Sequence, residues 1–339
     1  MSSEPVVTPV DPATAPASDV DQYFDLLSAC AATDSPAAAP PVRAAAVQRL
    51  TLPASATRTP YTWFARDGGR LVGVGHLMLV SDIGLADIDI KVRPEYRRRG
   101  VGTALLRAAA VAAEGYANLL IQNLPEGGAG SAWADVHGFS VALRTVRQNL
   151  DLRTADRTSW EIPAAPGYRV ARWSGTVPDE YLASYAAARN AMRDAPHGAM
   201  AFRMPDWTPE MIRRAEDVAR AEGCELRLVA AIHEETGAVV GLTEIDLYER
   251  RPDLGIQQDT TVLGAHRGHR LGLWIKAENL WWLAADRPAV EIVRTSTAAD
   301  NTHMRRVNEQ LGFVADLATQ NREADVAALT ARLTVSPVA

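Results

Sequence analysis

Two short basic segments carry residue types that could bind an anion. The first, Val92–Gly102, leads from an apolar stretch into an alanine-rich one. Gly100 and Gly102 allow close approach of the backbone, and a helix beginning at Val101 would offer unpaired N–H groups and the positive end of its dipole. The segment adds positive charge through Arg97, Arg98 and Arg99. This combination predicts a phosphate cradle, with a diphosphate as the expected ligand.

A second segment, Gln258–Gly272, repeats this order of residue types at a constant offset. The matching pairs are Asp89 with Asp259, Val92 with Val262, Tyr96 with His266, Arg97 with Arg267, and Gly102 with Gly272. Each segment is followed by a predicted helix, a strand and a further helix that ends in Gly-Phe. A repeat this long indicates two duplicated domains, since solenoid repeats are much shorter.

The order Arg97-x-x-Gly100-x-Gly102 resembles the R/Q-x-x-G-x-G/A loop with which the GNAT acyltransferase superfamily holds the diphosphate of acetyl-CoA. The resemblance covers most of both halves and is strongest from Gln258 to Phe313. It implies an α/β (α+β) protein of two tandem GNAT folds, each with a mixed, mostly antiparallel central sheet flanked by helices. It also implies transfer of an acyl group from acetyl-CoA, or another acyl-CoA, to an amine.

The resemblance assigns cofactor-binding residues in both halves. In the family, the strand before the loop binds the pantetheine arm and the thioester carbonyl, which corresponds here to Ile90–Val92 and Thr260–Leu263. The first expected set comprises Val92, Arg97, Arg98, Arg99, Gly100, Val101 and Gly102. The second set comprises Val262, Leu263, Arg267, Gly268, His269, Arg270, Leu271, Gly272 and Asn301. Asn301 matches an early asparagine of the family's final helix, and it would equally serve as a helix N-cap.

Three departures from the family pattern bear on the chemistry. Arg270 stands where the family usually has glycine, and its guanidinium could still bind phosphate. Ala134 and Asn308 occupy positions where many members place a tyrosine acid, so neither half predicts a tyrosine mechanism. The final helix of the first half also lacks the early asparagine. We therefore expect chemistry in the second domain, with a degenerate or regulatory first domain.

Amine acylation also needs an acceptor for the proton of the amine. Glu244 lies on the predicted strand before the cofactor strand, and Asp259 lies on the cofactor strand itself. We expect one of them to act as the base, directly or through water; the alternative for each is a structural hydrogen bond. His197 is a lesser candidate in a loop that borders the acceptor site of this fold, and a surface role suits a lone loop histidine better.

Composition limits the class of protein. The chain has 339 residues, 47% hydrophobic and 22% charged, which suits two globular domains. Its net charge of −6 disfavours nucleic-acid binding and favours a cationic amine acceptor. The sequence shows no apolar run of membrane-spanning length and no signal-like start, which predicts a cytoplasmic protein without membrane association. We expect it to be a monomer or a homodimer. Cys30 and Cys224 lack metal-ligand spacing, so we expect reduced, buried thiols and no metal.

The pattern along the chain predicts four segments. These are a disordered tail at 1–19, an N-terminal GNAT-like domain at 20–152, a linker at 153–166 and a C-terminal GNAT domain at 167–339. Each domain reads as two helices, then three strands leading to the basic loop. The segment Glu323–Val335 has helical spacing where the family places a final strand.

Three functions fit these features. The first is an N-acyltransferase that uses acyl-CoA and a small-molecule amine. The second is an acyltransferase that takes its acyl group from the pantetheine thioester of an acyl carrier protein in a biosynthetic pathway. The third is a non-catalytic CoA-binding or regulatory protein, which the absence of both tyrosines favours.

Overall fold

The computed structural model describes residues 5–11, 16–35, 40–196, 198–201 and 206–335. The first part of the chain contains, in order, β1 (Val6–Pro9), α1 (Ala17–Asp34), α2 (Arg43–Thr51), β2 (Arg58–Asp67), β3 (Arg70–Val80), β4 (Leu85–Val92), α3 (Val101–Ala112), β5 (Asn118–Pro125), α4 (Ala129–Val136) and β6 (Ser140–Asp151).

The second part repeats this order. It contains β7 (Tyr168–Ser174), α5 (Asp179–Asn190), α6 (Pro209–Ala221), β8 (Cys224–His233), β9 (Val239–Tyr248), β10 (Leu254–Val262), α7 (Leu271–Asp286), β11 (Ile292–Ala298), α8 (Thr302–Gln310), β12 (Val314–Asp325) and α9 (Val326–Val335). Short 3₁₀ turns precede α3 and α7 at Pro94–Tyr96 and Gly264–His266.

The structure divides into two units whose boundaries differ from the predicted domains. The first unit comprises residues 1–143, 198–204 and 319–339, and the second comprises 144–197 and 205–318. The reason is strand pairing: the end of β12 pairs with β5 from Thr319 to Asp325, and β6 pairs with β11 from Thr145 to Asp151. Each unit is therefore completed by a strand from the other half of the sequence.

In the first unit the strand order is β1-β2-β3-β4-β5-β12. Only β4 and β5 pair in parallel, and the other neighbours are antiparallel. Helix α3 buries Leu105 and Ala109 against this sheet. A Cβ on Gly73 would lie 2.7 Å from Cγ1 of Val101, so glycine at this point of β3 lets the start of α3 approach the sheet.

In the second unit the order is β6-β11-β10-β9-β8-β7, and again only one pair, β10 with β11, is parallel. Helix α7 packs on this sheet through Leu273, Ala277 and Leu280. The mixed, mostly antiparallel sheets with flanking helices confirm the predicted fold class. Trp274 is buried and Trp281 and Trp282 are half-buried in the core.

Two predictions about chain segments differ from the structure, and the helical spacing of Glu323–Val335 is confirmed by α9. Val6–Pro9 of the predicted disordered tail forms β1, which pairs with β2. The predicted linker packs into the second unit, because buried Trp160 donates its indole N–H to the Leu311 carbonyl. The C-terminal segment supplies both a strand, β12, and the helix α9, which begins at Val326.

Cys30 and Cys224 are both free and buried. Among the helices that the structure describes, none combines the length and the apolar character needed to span a bilayer.

Candidate active site

The central parallel strands of each unit separate after a short stretch of pairing. In the first unit, β4 and β5 pair only at Ala86–Leu119 and Asp87–Leu120, although β4 continues to Val92. In the second unit, pairing of β10 with β11 ends at Ile256–Arg294, and β10 continues to Val262. Backbone groups beyond these points face an opening and need other partners. An extended, polar ligand could pair with them.

The strand that borders the opening is regular in the first unit and irregular in the second. The register of β4 against β3 is continuous from Leu85 to Val92. In β10 the register against β9 shifts between Gln257 and Thr260. A bulge leaves a residue out of the ladder and changes the direction of the side chains around it. The bulge of β10 contains Asp259, one of the two predicted bases.

Each opening leads to a helix whose first turn has no side-chain cap. The backbone N-caps of α3 and α7 are Gly100 and Arg270, and neither helix receives a side-chain hydrogen bond there. The first N–H groups to bond within the helices are those of Ala104 and Trp274. The preceding N–H groups and the helix dipole therefore make each of these helix ends suited to bind an anion.

The two loops share one backbone path but exchange glycine and arginine. In the first loop Arg98 has φ +60° and Gly100 has φ +79°. In the second loop Gly268 has φ +88° and Arg270 has φ +58°. Left-handed backbone costs a non-glycine residue about 1–2 kcal/mol. Arg270 therefore preserves the loop geometry at an energetic cost, while placing a guanidinium at the helix end.

The paired arginines of the loops have matching contacts. Arg97 and Arg267 each donate an Nε–H to the carbonyl at the end of the preceding strand, on Val92 and Val262, at 3.1 Å. Arg97 also forms two bonds, of 2.8 and 2.7 Å, with Asp34 at the end of α1. Arg267 makes a single 2.6 Å contact with Asp194, and its side chain is 51% exposed against 24% for Arg97. Arg267 is thus the more available of the two.

Aromatic and imidazole side chains surround the second loop. The Tyr168 hydroxyl lies 3.0 Å from Nδ1 of His266, and the rings of His233 and His269 lie 5.4 and 5.5 Å from the Tyr168 ring. Burial lowers the pKa of His266, and the neighbouring His233 and His269 lower it further. Of this group only His269 is a predicted cofactor residue.

The space beside the second glycine of each loop differs between the units. A Cβ on Gly102 would stand 3.1 Å from Nε1 of Trp133, which lies on α4. That indole N–H is buried and has no hydrogen-bond acceptor among the described residues. A Cβ on Gly272 would have only Val262 at 3.8 Å and Thr260 at 3.9 Å nearby. The second cradle is therefore open where the first is filled by tryptophan.

Asn301 caps α8, because its side-chain oxygen accepts the Met304 N–H at 3.1 Å. This contact leaves the NH₂ of the carboxamide as a donor. Asn308 is fully buried, and its NH₂ donates to Gln148 at 2.9 Å and to Thr297 at 3.2 Å. It is a core hydrogen-bonding residue, and the matching Ala134 is also buried. The structure agrees with the prediction that neither position supplies an acid.

The two predicted bases lie on either side of one arginine. Glu244, with a side chain 7% exposed, accepts a 2.6 Å hydrogen bond from Arg189 of α5. Asp259 is 34% exposed and lies 3.5 Å from the same guanidinium. Burial raises the pKa of Asp259, the charge of Arg189 opposes this rise, and Glu244 adds to it. Glu244 is buried and held in an ion pair with Arg189, whereas Asp259 retains access to solvent.

A third carboxylate, Asp246, belongs to this cluster and was not predicted. It is buried, its Oδ2 accepts a 2.7 Å bond from Gln258, and its Oδ1 has no partner among the described residues. Burial and the charge of Glu244 together raise the pKa of Asp246 to about 7. The sequence feature that could have identified Asp246 is its position two residues after Glu244, since alternate residues of a strand share a face.

The corresponding region of the first unit is differently built. His76 is buried, and its ring nitrogens lie 2.8 Å from the Tyr23 hydroxyl and 2.9 Å from the Thr62 hydroxyl. Burial, and then the charge of Arg49, lower the pKa of His76 well below its usual range. This imidazole is therefore a neutral structural group with both nitrogens occupied.

Two carboxylates of the first unit, Asp87 and Asp89, lie near this histidine. Asp89 pairs with Arg49 at 3.1 Å and with Lys91 at 3.0 Å. Burial alone would raise its pKa, but Lys91 and Arg49 hold it far below the usual value. Burial and the charge of Asp89 raise the pKa of Asp87 to about 6. The other sequence-based candidate, His197, lies outside the described residues.

Comparison with known proteins agrees with this architecture. Residues 58–139 match the sequence model of the acetyltransferase (GNAT) domain. Mycothiol acetyltransferase of Mycobacterium avium (strain 104) is 28% identical over 242 residues, which are 66% of this chain and 69% of that protein. Mycothiol acetyltransferase of Mycobacterium leprae (strain Br4923) is 29% identical over 248 residues, which are 71% of this chain and 76% of that protein.

Solved structures extend the likeness over nearly the whole chain. A tandem GNAT protein from the clavulanic acid biosynthesis pathway has a TM-score of 0.77 at 29% identity, covering 95% of this chain and 99% of that one. A GCN5-related N-acetyltransferase from Sphaerobacter thermophilus shares the fold, with a TM-score of 0.69, 16% identity, and 95% and 96% coverage. With two openings and two basic loops, the chain is similar in sequence and fold to acetyltransferases of the tandem GNAT type.

Proposed function

We propose that the protein transfers an acyl group from acyl-CoA to the amine of a small molecule, and that the second unit is the catalytic one. The observation that carries the proposal is the position of the carboxylate cluster. Asp246 lies opposite Ile256, the residue at which β10 and β11 separate, and Asp259 lies in the bulge that follows. The opening therefore has an uncapped helix at one end and proton acceptors at the other.

The donor would be held by β10, the second loop and α8. Arg267, Arg270 and the first N–H groups of α7 would meet the diphosphate. The backbone from Thr260 to Leu263 would pair with the pantetheine arm, and a backbone N–H there would stabilise the developing oxyanion of the thioester. The Asn301 carboxamide would add a donor to the arm. Acetyl-CoA is the donor that the family likeness favours.

The acceptor would enter as a cation. Three carboxylates, Glu244, Asp246 and Asp259, surround one guanidinium, that of Arg189, so the cluster favours an ammonium group. The net charge of −6 acts in the same direction. The relatives named as mycothiol acetyltransferases support a small molecule as the acceptor.

We assign the proton transfer to Asp246, because its pKa of about 7 suits a general base at neutral pH. Asp246 first accepts a proton from the bound ammonium group, directly or through water. The neutral amine nitrogen then attacks the thioester carbonyl carbon, the C–S bond breaks, and the second proton of the nitrogen passes to solvent. Asp259 attracts the ammonium group, and the Glu244–Arg189 pair holds the cluster in place. The leaving thiolate receives its proton from solvent.

The test is release of free thiol from acetyl-CoA in the presence of a panel of primary amines. Amine-dependent release by the wild-type protein, lost in Asp246→Asn, is the expected result. Release only from a loaded acyl carrier protein would replace the donor with a carrier-bound thioester. Binding of CoA without release from either donor would show that the protein is a CoA-binding protein without transferase activity.

The first unit supports a different role for its own cradle. Its loop and uncapped α3 match those of the second unit, but neutral His76 stands near the strand opening and Trp133 fills the space beside Gly102. We propose that this unit binds CoA weakly or not at all and has no catalytic function.

A further inference from the structure

Helix α7 contains a buried lysine with no structural partner. Lys276 is 1% exposed, and the described residues supply its amine with neither a hydrogen bond nor an ion pair. The nearest interaction is with the ring of Phe313, whose centroid is 5.5 Å from Nζ. Burying a lysine without an anion costs folding free energy. The matching position of the first unit is Leu106, which is also fully buried, so an apolar side chain suits this place in the fold.

The position of Lys276 on the helix directs it toward the cradle. Gly272 and Lys276 are four residues apart, so they lie on one face of α7. Helical side chains point toward the N-terminus, and one turn is 5.4 Å long, which a lysine side chain can span. Gly272 has no side chain, and no atom of α8 comes within 4 Å of its Cβ position. The space that Trp133 fills in the first unit is therefore open in front of Lys276.

We propose that Lys276 is a cofactor-binding residue, whose amine becomes protonated when CoA binds and neutralises phosphate charge at the N-terminus of α7. This inference rests on the proposed binding of CoA by the second unit. It explains why the second unit keeps a lysine where the first has leucine. The uncapped helix end and the unpaired amine are two independent features directed at the same anion.

The electrostatic environment supports this assignment. Burial lowers the pKa of Lys276 to about 7, and no charged neighbour contributes to the shift. On α7 itself, Glu278 pairs with Arg172 and Asp286 pairs with Arg227. The elements around α7 also carry charged or titratable groups, and burial is the cause of the pKa shift of Lys276. These groups are Arg157, Cys224, Glu225, Arg227, His233, Glu244, Asp246, Tyr248, Asp259, His266, Arg267, His269, Arg270, His303, Arg305, Arg306 and Glu309. A bound phosphate would thus be the first anion to interact strongly with the amine.

The test is calorimetric titration of the full-length Arg97→Glu variant with CoA. Because this substitution removes binding by the first cradle, the measured heat comes from the second. Titrations at pH 6 and pH 8, each in two buffers with different ionisation enthalpies, give the affinity and the number of protons taken up. We expect uptake approaching one proton per CoA at pH 8 and little at pH 6. Adding Lys276→Leu should abolish the uptake and weaken binding by roughly tenfold or more.

The leucine of the first unit makes Lys276→Leu a well-matched variant, and Lys276→Met is a second one. Both should fold with a raised melting temperature, because they remove an unpaired buried amine. The measured quantity is the difference between the lysine and leucine proteins, so that proton exchange by all other groups cancels.

Two negative results are distinguishable. If Arg267→Glu weakens binding while Lys276→Leu changes neither affinity nor proton uptake, the inference about Lys276 is overturned and the proposed function stands. If Arg267→Glu also leaves binding unchanged, the second unit is not the CoA site, and both the inference and the proposed function fail.

Discussion

The two basic loops show that one backbone geometry can be built from different residues. Each has two residues in the left-handed region, and each fills one position with glycine and the other with arginine, in opposite order. Each arginine at the loop start donates to the last carbonyl of the preceding strand at 3.1 Å. The anion site depends on the backbone path and the uncapped helix, so the sequence of the loop can vary while the site persists.

The centres of the two units differ much more than their loops. Where the first unit has a neutral histidine enclosed by Tyr23 and Thr62, the second has a carboxylate cluster beside a bulged strand. A chemical step requires a group that changes protonation near the working pH. The comparison therefore separates binding geometry, which both units keep, from proton-transfer chemistry, which we assign to the second.

The largest effect that would distinguish the units is on turnover. Asp246→Asn should lower the turnover number by about a hundredfold to ten-thousandfold, because the asparagine cannot accept a proton. The base must be ionised to act, so wild-type turnover should rise as pH increases through about 7. That limb of the profile should disappear in the variant, while CoA affinity by calorimetry stays nearly unchanged.

Asp87→Asn provides the matched control in the first unit, where burial raises the carboxyl pKa to about 6. It should leave turnover unchanged. A loss of turnover in Asp87→Asn, with normal activity in both Asp246→Asn and Asp259→Asn, would move the active site to the first unit.

The next effect concerns cofactor affinity. Loss of a charge-assisted phosphate contact costs about 1.5–3 kcal/mol, so Arg267→Glu should weaken CoA binding more than tenfold. Arg97→Glu should have a smaller effect, because Arg97 is held by two bonds to Asp34 and is less exposed. Calorimetry on the two single variants and the double variant measures the difference; unchanged binding in the double variant would refute CoA recognition by either loop.

The sequence predicted the loops and most elements because those depend on local patterns. Three strands lead to each basic loop, as predicted, and α3 begins at the predicted Val101. The duplicated order of residue types also located both basic loops and the uncapped helix ends that follow them. Backbone geometry at these points is determined by glycine spacing, apolar alternation and turn residues that a sequence displays directly.

The remaining features depend on contacts between distant residues. The pairing of β12 with β5 and of β6 with β11 could not be read from either strand alone. The bulge in β10 and the pairing of Glu244 with Arg189 likewise require the assembled sheet. Asp246 was overlooked although it lies two residues after Glu244, because the burial that raises its pKa exists only in the assembled sheet.

A moderate effect on stability and on CoA affinity is expected at Asn301, because the final helix of the first half has no matching asparagine. Asn301→Ala should destabilise the protein by about 1 kcal/mol in urea unfolding, because α8 loses its cap, and should also weaken CoA binding. Asn301→Asp keeps a capping oxygen and removes the NH₂ donor. It should therefore keep the stability and still weaken CoA binding; normal CoA binding in the aspartate variant would limit Asn301 to a structural role.

The smallest effect would come from replacing the second glycine of each loop with alanine. These variants test whether Trp133 makes the first cradle more crowded than the second. In Gly102→Ala the new methyl group would stand 3.1 Å from the Trp133 indole, which is packed against the core. Crowding of this kind should cost about 1 kcal/mol. In Gly272→Ala the nearest atoms are 3.8 Å away, so the free energy of unfolding should change by less than about 0.5 kcal/mol. Urea unfolding of both variants measures the difference directly. Equal losses would mean that the first cradle is no more crowded than the second, and the proposed weakness of CoA binding in the first unit would lose its physical basis.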